Sequence, residues 1–407
     1  MITQKVIQQI NIIKGEKRME KKVIQKSDWT SNFMLIGKPI INDYTFKMDE
    51  RSEKSNWVYN ALNLGVDCSD KYGTVYAECM GGYSEVNDNV IYVHGKKNDG
   101  SDDFQKQIVV SWDDRFNEDV LEEIGSMSFI DVGLERTDKG NLFVKHFLSA
   151  YDAIAYVKEH LSEDMIINVR GNIKYSTYND NTQVRKNITS IVLSKVEDPA
   201  NFKATFTQSI LIDKDSASLK NIDKDKGVMY IDTRVLDYVK EINGIEVKGQ
   251  YPYNKQFEFE MDFANEIACK KIMEKLFKVK KGITQITFEG EFIEGGAVVT
   301  ATWDDIPDDI KELVEMGVYT EEEALAKCTA NGSRERRMVL KKPQIKLVGN
   351  EDAKVPVVQK FEERYAEEDL VLDYLFNDKS DDADDEAPFD TEEESTSDDG
   401  MDWLANL

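Results

Sequence analysis

Residues able to do covalent chemistry are few and scattered in this sequence. The three histidines, His94, His146 and His160, stand far apart. None belongs to an H-E-x-x-H pair or neighbours a Ser or Cys in a nucleophile motif. No G-x-x-x-x-G-K-[ST] loop occurs, which excludes nucleotide hydrolysis of the P-loop kind. Cys68, Cys79, Cys269 and Cys328 form no C-x-x-C and have no His at metal spacing, so they read as reduced thiols of a cytoplasmic protein. A metal-dependent nuclease could draw on Asp113, Asp114, Asp131 and Glu135, but among 78 acids such groupings arise by chance. The expectation is a protein that is not an enzyme and holds no metal or cofactor.

Non-covalent chemistry is better served. In "NVRGNIKYSTYNDNTQVRKNITSIVLSK" (168–195) two β-branched runs flank a polar turn, with Lys, Arg and Tyr spread along them. Strict alternation from Ile167 puts Val169, Gly171 and Ile173 on one face of a strand, and Arg170, Asn172, Lys174, Ser176 and Tyr178 on the other. One face suits a barrel core. The other pairs cations with an aromatic ring, as a surface does that stacks bases and meets phosphates. A glycine inside a strand implies a sharp bend or the close approach of another backbone.

These residues must be carried by strands. "NFMLIGKPI" (32–40), "WVYNALNLGV" (57–66), "GTVYAECM" (73–80), "NVIYVHGK" (89–96) and "QIVVSW" (107–112) are short, β-branched or aromatic, and bounded by Gly, Asp or Asn. A helical stretch is expected at 115–125. A second helix, "SAYDAIAYVKEHL" (149–161) with Ser149 as N-cap, precedes the hairpin. Near 196–202 the pattern restarts. Strands are expected at 203–212, 227–239, 245–251 and 255–261, then a helix at 265–279 and a strand region at 282–303. A helical insertion (307–328), a closing strand (336–348) and a further helix (357–376) complete the ordered part. Each half holds a strand of form β-x-G-x-β, "INVRGNIKYS" (167–176) and "ITFEGEFIEG" (286–295). "WDD" recurs at 112–114 and 303–305, where an Asp N-cap after a strand explains it.

Charge narrows the partners. The chain of 407 residues carries −26, and residues 377–407 hold 13 acids against Lys379 alone, which leaves −14 on the rest. A globally basic nucleic-acid binder is excluded and only a local basic surface remains open. The last segment is too charged and too poor in apolar residues to build a core, so a disordered tail is expected. No apolar run approaches the roughly 18–20 residues of a membrane span. At the other end, the codons of Lys14-Gly15-Glu16 can spell a ribosome-binding site just upstream of Met19. Either translation starts at Met19 in a bacterial or phage gene, or residues 1–18 are an amphipathic leader.

Strands, then a helix, then a hairpin is the order of an OB-fold, a five-stranded barrel with its helix between the third and fourth strands. Here the sequence resembles the single-stranded DNA-binding protein family of bacteria and their phages. Val169, Gly171, Ile173 and Lys174 match the fourth strand of that family, and Tyr178 stands where a stacking Trp is frequent. Residues 179–187 match its long loop between the last two strands. The family ends in an acidic tail whose tip recruits replication and repair proteins. This chain offers "DDADDEAPFD" (381–390) with Phe389, and a true end carrying Trp403, Leu404 and Leu407. Which of the two is the docking tip stays open.

The resulting expectation is a mainly β protein with two OB-like barrels, residues 27–199 and 200–350, after an N-terminal extension (1–26). A helical segment (351–377) and a disordered acidic tail (378–407) follow. The resemblance implies a cytoplasmic, non-enzymatic single-stranded DNA-binding protein of replication or recombination, with partner proteins on the tail. Its stacking candidates are Tyr178, Trp57, Tyr59 and Tyr76. Its phosphate candidates are Arg170, Lys174, Arg185, Lys186, Lys280, Lys281, Arg334, Arg336 and Arg337, with Lys341 and Lys342 beside them. Core packing for the rings and plain solvation for the cations are the alternative readings. At the level of the whole protein, an acidic DNA mimic that inhibits a host enzyme, a β-rich virion protein and the metal-dependent nuclease remain alternatives.

Overall fold

The computed structural model describes residues 24–371, apart from 54, 179–180, 243–244, 296–302, 304–305, 307, 317, 322–323, 325–334 and 350–353. The N-terminal residues 1–23, Arg334, Cys328 and the whole tail with Phe389, Trp403, Leu404 and Leu407 lie outside the described residues.

The first half runs β1 (Ser31–Ile40), β2 (Phe46–Arg51), β3 (Trp57–Asp67), β4 (Thr74–Ser84), β5 (Val90–Lys96), β6 (Asp102–Ser111), α1 (Glu118–Glu122), β7 (Ile130–Arg136) and β8 (Leu142–Phe147). It ends with α2 (Ala150–His160), β9 (Ile167–Tyr178) and β10 (Asn181–Leu193). Five of these strands close on themselves. β1 pairs with β3, β3 with β4, β4 in parallel with β10, β10 with β9, and β9 again with β1. The protein is thus mainly β and contains a closed five-strand barrel. Its core holds Leu35, Leu64, Val75, Val169 and Ile191, all essentially without solvent contact. Helix α2 buries Ala153, Ile154, Tyr156 and Val157 against this core, and the Ser149 hydroxyl accepts from the Tyr151 N–H at 3.1 Å as its N-cap.

Gly171 sits where β9 is squeezed between β1 and β10. A Cβ there would lie 1.9 Å from the Asn187 carbonyl oxygen and 2.8 Å from the Phe33 ring, so no side chain fits. The strand glycine reads correctly as a close approach of backbones.

The second half repeats the order of pairing. It comprises β11 (Lys203–Ile212), β12 (Ala217–Asp223), β13 (Val228–Ile242), β14 (Ile245–Glu260), α3 (Glu266–Ile272), β15 (Ile283–Gly295), α4 (Asp308–Glu315) and β16 (Glu335–Pro343). β11 pairs with β13, β13 with β14, β14 in parallel with β16, β16 with β15, and β15 with β11. The close approach recurs: a Cβ on Gly290 would lie 2.2 Å from the Phe206 ring. The two halves meet strand to strand through antiparallel β1 and β11, where Phe33 stands opposite Phe206. Phe33 also faces Gly171, and Phe206 faces Gly290, so the two β-x-G-x-β strands occupy matching places.

Several expectations need correction. Of the helix expected over 357–376, the described residues 357–371 are mostly strand, and 372–376 lie outside the described residues. β17 (Ile345–Val348) and β18 (Val355–Val358) form a hairpin, β19 (Lys360–Tyr365) adds to β15, and only α5 (Glu367–Leu370) is helical. The open edge of β15 outweighs the helix preference of the Glu-rich run, and Glu363 takes a left-handed φ of 51° that interrupts a helix. The closing strand bends after Pro343 into two. Residues 245–251 and 255–261 join into β14, which passes straight through Pro252. The helix expected at 265–279 is present, as α3 running on into a π-helical stretch over Met273–Phe277. β2, β7, β8 and β12 had no expectation at all. Among the described residues no helix is long and apolar enough to cross a membrane.

Candidate nucleic-acid interface

The hairpin β9–β10 presents the face that alternation assigns. Ile167, Val169, Ile173 and Tyr175 are buried, whereas Arg170, Asn172, Lys174 and Tyr178 are exposed, with Tyr178 at 54%. Arg185 lies directly across from Lys174, so it shares this outer face and is half-buried there. The Lys174 ammonium is 3.4 Å from Asp237 Oδ1, and Lys26 reaches the same oxygen at 3.7 Å. Asp237 is buried on β13. Its other oxygen accepts the Tyr175 N–H at 2.8 Å, which binds the hairpin of the first barrel to the second.

Lys186 is a correction. It is buried and forms an ion pair with Glu294 of β15 at 2.7 Å, with its ammonium 5.0 Å above the Phe292 ring. The reason is register. β9 ends at Tyr178, β10 begins at Asn181 and these two residues are paired, so no long loop spans 179–187. Lys186 then stands opposite core-facing Ile173 and must share its side.

The other stacking candidates are partly spent on protein neighbours. Trp57 and Tyr59 stack on each other with centroids 5.0 Å apart and planes 17° apart. Tyr76 covers Gly65, whose Cβ would lie 3.1 Å from the Tyr76 ring. All three are half-buried.

The basic runs divide in the same way. Lys280 and Lys281 are exposed, and the charge of Lys280 adds to burial in lowering the pKa of Lys360. Arg337 is held by Glu258, through Nε at 2.8 Å and Nη2 at 2.5 Å. Lys341 is taken up by Glu260 and Glu291, and Lys342 by Glu289. Arg336 is exposed and has no acidic partner among the described residues.

Lys255 went unnoticed in the sequence. It is half-buried on β14 in phase with Tyr253, Phe257 and Phe259, and a lysine on the core side of a strand was the available signal. Burial and the charge of Lys186 hold its pKa below the ordinary lysine value, with Glu258 opposing. Lys255 lines a cavity of about 340 Å³ together with Asn181, Thr182, Tyr230, Asn254, Arg336 and Arg337. The hairpin tip forms one wall, because the Thr182 hydroxyl donates to the Asn254 carbonyl oxygen at 2.7 Å. A neighbouring cavity of about 610 Å³ also touches Lys255, but Asp213, Asp215, Asp232 and Glu367 make it acidic.

The histidines and the proposed nuclease carboxylates go elsewhere. Asp131 pairs with His146 at 2.7 Å, and Glu135 accepts from the Tyr156 hydroxyl. His94 lies between Ser128 (3.1 Å) and Asp102 (2.9 Å), a chain that ties hairpin β5–β6 to the turn at 126–128. Asp102 also accepts from the Ser126 hydroxyl and the Met127 N–H, and these bonds keep its carboxyl below the ordinary value. Among the described residues no group of three or more His, Cys, Asp or Glu is placed to hold a metal ion. Cys68, Cys79 and Cys269 are free and buried, and burial pushes the Cys79 thiol up to about 12.

A family model described as YorF matches residues 93–285. No curated protein matches the chain. Among solved structures, a deletion mutant of the single-stranded DNA binding protein from Thermus aquaticus is 10% identical, with 65% of this chain and 87% of that chain covered at a TM-score of 0.28.

Proposed function

We propose that this protein binds single-stranded DNA through two OB-like barrels and serves replication or recombination, with its acidic tail contacting partner proteins. The observation that carries the reading is the outer face of β9. Arg170, Lys174 and Tyr178 stand exposed along one strand whose other face is core. Such a face gives bases a ring to stack on and phosphates a local positive charge, without reading sequence. The order of pairing supports the barrel assignment. In each half the first strand pairs with the second and fourth, the third runs parallel to the fifth, and a helix stands between third and fourth. The net charge of −26 requires this local arrangement, since the surface at large repels phosphates.

The test is a gel-shift titration with a single-stranded oligonucleotide and its duplex. Preferential retardation of the single strand supports the proposal. Equal binding of both, or binding of neither, refutes it. Destruction of the oligonucleotide on adding Mg²⁺ would replace it with a nuclease.

A further inference from the structure

The 340 Å³ cavity between the hairpin tip and the second barrel has features that the exposed β9 face alone does not explain. Its walls come from both halves: Thr182 from β10, Tyr230 and Asn254 from β13 and β14, and Arg336 from β16. Cations outnumber anions there. Lys255, Arg336 and Arg337 line it against Glu258 alone, and Glu258 is already engaged by Arg337. In a chain of net charge −26, a cluster in which cations outnumber carboxylates is a local exception. Lys255 is the member whose charge its surroundings oppose. It is half-buried, has no carboxylate within ion-pair distance among the described residues, and lies near enough to Lys186 for the two charges to oppose each other. An anion in the cavity would offset both the burial and the repulsion. The remaining lining is suited to a nucleotide: a phenol ring at Tyr230, and hydroxyl and amide groups at Thr182 and Asn254.

We infer that this cavity takes one phosphate-bearing nucleotide of a single strand, with Lys255 and Arg336 on the phosphate, so that a bound strand passes from the β9 face of the first barrel onto the second. The inference rests on the single-strand reading proposed above and adds to it a second anchor and a path. Tyr178 is the last residue of β9 and Asn181 and Thr182 open β10, so the stacking candidate and the cavity wall belong to the same hairpin tip. A strand leaving Tyr178 is delivered toward the cavity.

The experiment measures the affinity of the full chain for a fluorescent oligothymidylate across a range of salt concentrations. Lys255→Gln, Arg336→Gln and the double variant are compared with Tyr178→Ala and the unaltered protein. Each lost phosphate contact should reduce the salt slope by about 0.7 and weaken binding roughly 10-fold or more at low salt. Lys255→Arg should restore most of the slope. Arg336 is exposed, so its variant reports on binding without endangering the fold. If Tyr178→Ala weakens binding while the Lys255 and Arg336 variants keep both affinity and slope, the cavity is not on the path and this inference falls alone. If the unaltered protein binds no single strand, the functional proposal falls and takes the inference with it.

Discussion

Removing the Lys186 side chain separates two roles that the sequence alone could not. The Lys186–Glu294 pair is 2.7 Å long and joins β10 of the first barrel to β15 of the second, with side chains 8% and 6% exposed. Lys186→Met keeps the volume and leaves the Glu294 carboxylate buried without its cation. Breaking a buried pair from one side costs about 3–5 kcal/mol, most of it the desolvation of the orphaned charge. Replacing both partners, as in Lys186→Met with Glu294→Leu, should recover most of that loss, because the desolvation penalty disappears with the charges. Urea denaturation followed by tryptophan fluorescence gives the two free energies and their coupling. On the same proteins, the salt slope of oligonucleotide binding should stay unchanged for the double variant, since no phosphate contact is removed. The reasoning is refuted if Lys186→Met costs less than about 1 kcal/mol, as a surface pair would, and also flattens the salt slope. Lys186 would then be a solvent-facing phosphate contact.

Asp237→Ala should destabilise by at least about 1–3 kcal/mol, because the Tyr175 N–H loses its acceptor and Lys26 and Lys174 lose their shared carboxylate; thermal or urea unfolding measures it. Gly171→Ala should cost about 1–3 kcal/mol or prevent folding, since the added Cβ meets the Asn187 carbonyl oxygen, which is backbone and cannot swing aside. Lys255 has a lowered pKa, so it loses its proton at a pH below that of ordinary lysines. Single-strand affinity should therefore decline as pH rises through that lowered value, and Lys255→Arg should abolish this early decline in a pH series. Deleting residues 378–407 removes a net charge of −12 out of −26, and should raise single-strand affinity at low salt while abolishing capture of replication proteins.

Much of the barrel scaffold was legible because it is local. The bounds of β11, the helix α2 with its Ser149 cap and the two strand glycines follow from alternation, capping and the absence of a Cβ. What failed depends on partners distant in sequence. The pairing register of β9 and β10 decides which face Lys186 takes, and that register cannot be placed from a polar stretch of nine residues. β19 is a strand only because β15 offers it an edge. Lys255 is set apart by sharing a cavity with Asn181 and Thr182 of the other half, which its sequence neighbourhood does not show.

The central claim is that the outer face of β9 touches bases, and Tyr178 tests it most directly. Its ring is 54% exposed at the end of β9, so its loss removes no core contact. Base–aromatic stacking contributes about 1–3 kcal/mol per base, so Tyr178→Ala should weaken single-strand binding roughly 5- to 150-fold at fixed salt. Tyr178→Phe should bind nearly as the unaltered protein does, because stacking needs the ring and not the hydroxyl. The affinities of these three proteins for one single-stranded oligonucleotide, measured alongside their unfolding midpoints, decide the matter. A loss of binding in Tyr178→Ala with an unchanged midpoint is the predicted result. Unchanged binding in Tyr178→Ala, or a loss matched by Tyr178→Phe, contradicts the claim.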